Sequence, residues 1–201
     1  MAILYHVRTV RRDRRLLRYY SKLEIPSQGG NAMTIKIGDT VPDGVLFESV
    51  GYSDENHCPV RPAQVGVAEA LKGRRIVVFG LPGAFTPTCS GKHLPGFVAR
   101  LDQFKAKQVD QIWCVAVNDG YVMAVWGRDQ KADGKIRMLG DGNGTWTKAL
   151  GLEVDSSAGG MGLRMRRFSM LVDDGVVSQF NLEQPLKFEV SDAETLLKQL
   201  G

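Results

Sequence analysis

Two short stretches, "IVVFGL" (76–81) and "IWCVAV" (112–117), run continuously apolar instead of alternating with polar residues. That is the pattern of strands buried on both faces of a sheet. Helical repeats follow each of them. Beyond residue 89, Leu94, Phe97, Val98, Leu101 and Phe104 recur at spacings of three and four, which predicts one apolar helix face; Pro95 falls inside that helix and should kink it. "GYVMAVWGRDQKAD" (120–133) predicts a second helix and "IRML" (136–139) a third strand. A short helix is expected around Trp146 to Leu150, after the turn "GDGNG".

"RRFSMLV" and "VVSQFNLE" flank Asp173, Asp174 and Gly175, an Asp-Gly hairpin signal. "SDAETLLKQL" opens with Ser191 and Glu194 at the spacing of a capping box and predicts a closing amphipathic helix. Upstream, 34–49 alternates around Gly and Pro as short strands joined by turns, 51–62 reads as a polar loop, and Val65 to Leu71 as a short helix. After residue 73 the order is therefore β-α-β-α-β, a hairpin, and a final helix. Parallel neighbours need helical crossovers and the hairpin supplies an antiparallel pair, so the expected class is α/β, a mixed central sheet with helices on both faces. The order is that of a thioredoxin-like fold.

Charge divides the 201-residue chain. Residues 1–33 hold seven basic and two acidic residues, leaving 19 of the 26 basic and 20 of the 22 acidic residues to the rest. The formal +4 thus belongs to the head, and the near-neutral remainder gives no hint of a nucleic-acid partner. The head is read as a disordered extension ahead of a domain at 34–201, with "PSQGGN" (26–31) as linker; an Arg-rich targeting segment and a membrane or nucleic-acid tail are the other readings. No apolar run approaches the roughly 20 residues of a membrane-spanning helix. Cys58, Cys89 and Cys114 are odd in number and lack paired spacing, which points to a reducing compartment and to the cytoplasm. His6, His57 and His93 form no spaced ligand set, so neither metal nor cofactor is expected.

The chemistry concentrates in "GLPGAFTPTCSGKHLPGF" (80–97). A cysteine in the first turn of a helix lies near unpaired backbone N–H groups and the positive end of the dipole, and both favour the nucleophilic thiolate. Thr86, three residues before Cys89, can donate to that sulfur or orient a polar substrate. Pro82 and Pro87 stiffen the loop, and Gly80 and Gly83 let the strand turn sharply into it. An isolated cysteine is more often a small buried hydrophobe, but a core cysteine has no need of a Thr-x-x-Cys turn. His93, one helical turn on, could act as a base; a surface or interface histidine is the preferred reading.

"PGAFTPTC" resembles the peroxidatic signature of peroxiredoxins, Pro-x-x-x-Thr-x-x-Cys, with Pro82, Thr86 and Cys89 at the matching positions. With "VNDGYVMAVWG" (117–127) and "RMRRFSMLVDDG" (164–175), the resemblance is to the type 5 (type II, atypical) subfamily, from about Met33 to Gly201. It implies thiol-dependent reduction of hydrogen peroxide and organic hydroperoxides through Cys89, which becomes a sulfenic acid. It also implies an arginine near the sulfur, which registration against "RFSM" puts at Arg164; Arg166 and Arg167 are close by, and by residue type any of the three could equally be a solvated strand-edge charge.

No cysteine follows Cys114, Cys114 lies in a strand expected to be buried, and Cys58 lies in a polar loop whose position relative to Cys89 the sequence leaves open. An external thiol is expected to recycle Cys89, glutathione with glutaredoxin or thioredoxin, with resolution by Cys114 or Cys58 as the alternative. The resemblance further implies a homodimer. A non-catalytic thioredoxin-fold binding or chaperone module is the alternative, disfavoured by the intact Thr86 and Cys89 pair. A disulfide oxidoreductase would need a second nearby cysteine, and no C-x-x-C is present.

Overall fold

In the computed structural model, residues 33–53, 55 and 57–200 are described; of the basic head 1–33, with its expected extension and linker, residues 1–32 lie outside them. The strand expected at 74–81 is β5 (Arg75–Gly80), buried at every position after Arg75. Its side chains alternate between two cores. Val77 and Phe79 face a layer containing Phe97, Phe104, Met123, Trp126 and Leu196, while Ile76 and Val78 face Val67, Trp113, Trp146, Phe168 and Met170. Helices on both faces thus remove the whole strand from water, and its continuous apolar run records that.

β1 (Val45–Glu48), β2 (Tyr52–Ser53), β3 (Cys58–Pro59) and β4 (Ala63–Gly66) precede α1 (Val67–Leu71) and β5. A helical stretch from 87 to 98 follows, containing a π-helical segment (Cys89–His93) and α2 (Leu94–Val98). Then come α3 (Leu101–Ala106), β6 (Gln111–Ala116), α4 (Gly120–Asp129), β7 (Arg137–Gly140) and α5 (Thr145–Ala149). β8 (Glu153–Asp155), a 3-10 turn (Ser157–Gly159), β9 (Leu163–Met165), β10 (Phe168–Asp173), β11 (Val176–Leu182) and α6 (Ala193–Gln199) complete the chain.

The main sheet has the order β11-β10-β5-β6-β7-β1-β4. β5, β6 and β7 are parallel, and the other neighbours are antiparallel. The class is the expected α/β, a mixed sheet between helical layers. β10 and β11 turn through Asp174 (φ 47°) and Gly175 (φ 78°), the pair of positive φ angles that a type I′ hairpin requires.

Several expected elements differ. The single helix face through 94–104 is divided between α2 and α3, which meet at Ala99 and Arg100. The chain does not simply kink at Pro95: the preceding turn widens, with the Leu94 N–H donating to the Cys89 carbonyl five residues back. Proline cannot donate, so a helix that reaches it has lost a bond in any case. The closing helix is capped by Asp192, which accepts from Glu194 and Thr195 N–H; Ser191 is fully buried and bonds elsewhere. The 51–62 loop carries the β2/β3 hairpin, and within 34–49 the one strand is β1.

β10 lies on β5 with Phe168 opposite Gly80. A Cβ on Gly80 would overlap both the Phe168 ring and the Met165 sulfur. Gly80→Ala should lower folding stability by about 3 kcal/mol in urea melts, because the overlap falls on packed core side chains. Gly66→Ala, where a Cβ meets nothing within 4 Å, should stay within about 0.5 kcal/mol of the wild type.

Candidate active site

β5 ends at Gly80, and the chain turns at once into the loop that leads to Cys89. The Leu81 N–H donates to the Val115 carbonyl (3.2 Å), which holds the turn against β6. Pro82 follows, half-buried, and Ala84 N–H donates to Asn118 Oδ1 (3.0 Å) from the end of the neighbouring strand. The Thr86 hydroxyl donates to the Gly83 carbonyl (2.8 Å), and its own carbonyl accepts from Ser90 N–H (2.9 Å). With its proton committed to Gly83, the Thr86 oxygen presents lone pairs and acts as an acceptor. Helical backbone begins at 87, so Cys89 lies in the first turn. Its side chain is fully buried. On the helix side, Ser90 accepts from Trp126 Nε1 (3.0 Å).

The guanidinium at the sulfur is that of Arg167. Its Nη2 donates to Cys89 Sγ at 3.4 Å, and its Nη1 lies 3.0 Å from His93 Nδ1. The expected contact from Arg164 is not the one found: Arg164 donates through Nε to the Met161 carbonyl (2.8 Å) and through Nη1 to the Val117 carbonyl (3.4 Å). Strand register is the reason. Phe168 pairs with Gly80, so Arg167 sits one residue beyond the end of β5, where the cysteine loop departs. Arg164 belongs instead to the β8/β9 hairpin, opposite Val154. It still borders the loop, since a Cβ on Gly83 would come within 3.0 Å of its Nη1. The available signal was position: Arg167 is the last residue before the apolar run of β10.

His93 is buried, contrary to the surface or interface expectation. It packs among Phe79, Phe97 and Phe188, with Nε2 3.0 Å from the Ser191 carbonyl. A carbonyl can only accept and a guanidinium can only donate, so the imidazole is neutral, protonated on Nε2, with its Nδ1 lone pair toward Arg167. Burial, and then the Arg167 charge, hold its pKa down to about 3, against the opposing influence of the Ser191 carbonyl and Asp192.

The other cysteines are placed differently. Cys114 is buried in β6, within the same apolar cluster as Cys89. Burial, and secondarily the Cys89 sulfur, push the Cys114 thiol well above its ordinary value, while Arg167 opposes. Cys58 is exposed in β3. Among the described residues, no group of three or more His, Cys, Asp or Glu side chains could hold a metal ion. Trp126 and Trp146 are core residues, whereas Phe85 is 56% exposed and has φ 61°.

A family model described as Redoxin matches residues 36–197. Peroxiredoxin-2C of Oryza sativa subsp. japonica is 45% identical over 166 residues, covering 83% of this chain and 98% of that protein. The structure of reduced Prx3 from Vibrio vulnificus in complex with H2O2 superimposes with a TM-score of 0.75 at 46% identity, covering 84% of this chain and 100% of that one. Peroxiredoxin 5 from Alvinella pompejana superimposes with a TM-score of 0.70 at 34% identity, covering 83% and 97%.

The buried imidazole ties stability to pH. A histidine held near 3 when folded takes up a proton near 6.5 when unfolded, so its stabilising contribution is complete above pH 6.5 and declines as pH falls toward 3. Between pH 6 and 4.5, His93 should lower the unfolding free energy by about 1.0 kcal/mol per pH unit at first, steepening toward about 1.4. His93→Gln should flatten that slope in urea titrations across the same range.

Proposed function

The chain belongs to the peroxiredoxins of the redoxin family and is a thiol-dependent peroxidase; on that premise we propose that Cys89 is its peroxidatic nucleophile, assisted by Thr86, Pro82 and Arg167. The single observation that carries this reading is the Arg167 Nη2 donor 3.4 Å from the Cys89 sulfur, beside the Thr86 loop. The thiolate attacks the terminal oxygen of a hydroperoxide in line with the O–O bond. An S–O bond forms and the O–O bond breaks; sulfur is oxidised to sulfenic acid, and the departing alkoxide or hydroxide takes up a proton. Negative charge passes from sulfur to the leaving oxygen, so a fixed guanidinium stabilises the transition state more than the ground state. Thr86 accepts from the peroxide O–H, since its own proton is engaged by Gly83. Pro82 stiffens the loop and adds no competing N–H. Arg164, in this reading, braces the loop beneath Gly83.

The reaction uses peroxide and consumes a thiol. The proposed reductant is external, glutathione with glutaredoxin or thioredoxin: one thiol condenses with the sulfenic acid to a mixed disulfide and water, and a second releases Cys89 as thiol. The high pKa direction of Cys114 supports this cycle, because a protonated thiol is a poor attacking group. A homodimer is part of the proposal, supported by the exposed Phe85 in the active-site loop. No helix among the described residues is long and apolar enough to cross a membrane; a reducing, cytoplasmic setting is the reading supported by three free cysteines.

In stopped-flow assays with hydrogen peroxide, Cys89→Ser should abolish turnover. Arg167→Ala should lower the second-order rate constant about 100-fold or more, in the range of a lost oxyanion donor, while Arg164→Ala should have a clearly smaller effect. Equal losses from the two arginine variants would remove the assignment to Arg167. Mass spectrometry of the peroxide-treated protein should find sulfenic acid at Cys89 and no disulfide from Cys89 to Cys114 or Cys58; such a disulfide would refute the external-thiol cycle.

A further inference from the structure

Glu183 is a buried carboxylate outside the site just described, only 4% exposed. Four donors converge on its Oε1: the N–H groups of Glu189, Val190 and Ser191, each at 2.8 Å, and the Ser191 hydroxyl at 2.9 Å. Burial alone would raise this carboxyl, but the amides of Val190, Ser191 and Glu189 and the Ser191 hydroxyl together hold it below its ordinary value. A chain turn needs no buried charge merely to close, since buried backbone groups are commonly satisfied by other backbone or water. The 188–191 segment that this carboxylate pins delivers two things to the neighbourhood of the sulfur. One is the Ser191 carbonyl, which binds His93 Nε2; the other is the Phe188 ring, with the Arg167 guanidinium 5.5 Å from its centroid.

Glu183 also fixes Arg167 from the other side. Its backbone N–H donates to the Arg167 carbonyl at 3.0 Å, one step beyond the Phe168–Leu182 pair of β10 and β11. One residue therefore anchors the main chain of Arg167 and the loop whose carbonyl determines which nitrogen of His93 carries the proton. The hydrogen bonds run without a gap from the Glu183 carboxylate to Ser191, from the Ser191 carbonyl to His93, from His93 Nδ1 to Arg167, and from Arg167 to Cys89 Sγ.

We propose that Glu183 is a positioning residue for the peroxide reaction: by pinning Ser191 it holds His93 in the Nε2–H tautomer, and the free Nδ1 then holds the Arg167 guanidinium at the Cys89 sulfur. The inference rests on the role proposed for Arg167. If the Ser191 carbonyl moves away, the Arg167 contact is the one hydrogen bond left in this network to favour the Nε2–H tautomer, and every ring that adopts the Nδ1–H form sets a donor against the Arg167 donor.

The test combines long-range proton–nitrogen NMR of His93 with stopped-flow kinetics on the full chain. The wild type should show the Nε2–H tautomer alone. Glu183→Gln should show mixed tautomers and a peroxide rate constant lower by about tenfold, the scale of one lost hydrogen bond to a charged group. In an Arg167→Ala background the same substitution should produce less than a twofold further loss, because no guanidinium remains to be positioned. A Glu183→Gln protein with wild-type rate, an unchanged His93 tautomer, or a tenfold loss that persists without Arg167 would each overturn the proposal. Should that variant not fold, Ser191→Ala, which removes only the hydroxyl bond to Glu183, carries the same comparison with an expected loss of about threefold. The NMR arm reads His93 directly, so failure of this proposal is distinguishable from failure of the Arg167 assignment, which the single Arg167→Ala variant reports.

Discussion

The pairing of Phe168 with Gly80 is the constraint on which the rest of the site depends. β5 and β10 are both buried, so a slip of one residue would send every side chain of β10 to the opposite core. The Phe168 ring also occupies the space in which a Cβ at position 80 would lie, which matches the bulky residue to the one small position at the strand end. Fixing this pair fixes its neighbours: the chain before Phe168 is Arg167, and the chain after Gly80 is the loop to Cys89. The contact between Arg167 and Cys89, 78 residues apart with no short-range sequence relation, is thereby set by ordinary core packing.

Around that junction the site is built from rigid pieces. Asn118, two residues past β6, holds Ala84, and Thr86 closes the loop onto Gly83. The widened turn from Cys89 to His93 keeps both residues in the apolar layer, where Phe79 and Phe97 stack at 4.1 Å. Burial of Cys89 and His93 on one side and the half-buried Arg167 on the other creates a boundary between a dry core and the loop surface. A donor fixed at such a boundary need not be reorganised when charge moves, which is the condition under which a hydrogen bond contributes most to a rate.

Much of this was legible from residue order alone. Continuous apolar runs marked β5 and β6, the Asp-Gly pair marked the β10/β11 hairpin, and "GLPGAFTPTC" marked a strand end, a stiffened turn and a helix start, because each of these is encoded within a few neighbouring residues. What was not legible depends on contacts between distant segments. Three arginines lie within four positions of one another, and only the β5/β10 register selects the one that reaches the sulfur. His93 looked like an exposed polar residue because nothing in its local sequence reveals the Ser191 carbonyl 98 positions away. Ser191 looked like a helix cap because the spacing fits, yet the buried Glu183 carboxylate engages its hydroxyl and leaves Asp192 to cap the helix.

The choice of a neutral imidazole as partner for Arg167 has an electrostatic consequence. A carboxylate in the same position would orient the guanidinium equally well, but its negative charge would oppose the developing oxygen anion that the guanidinium stabilises in the proposed reaction. Two unit charges about 4 Å apart interact by about 4 kcal/mol at the effective dielectric typical of such sites, enough to remove most of what one oxyanion donor contributes. Imidazole accepts the Arg167 N–H without cancelling its charge, provided that the ring stays neutral. Burial among three phenylalanines and the guanidinium itself enforce that neutrality, and hold the His93 pKa far below any physiological pH. The negative charge of the network is instead kept at Glu183, on the far side of Ser191, where backbone amides surround it. Orientation is passed along the hydrogen bonds from there, while the cation beside the sulfur remains unpaired by any carboxylate in that chain of contacts.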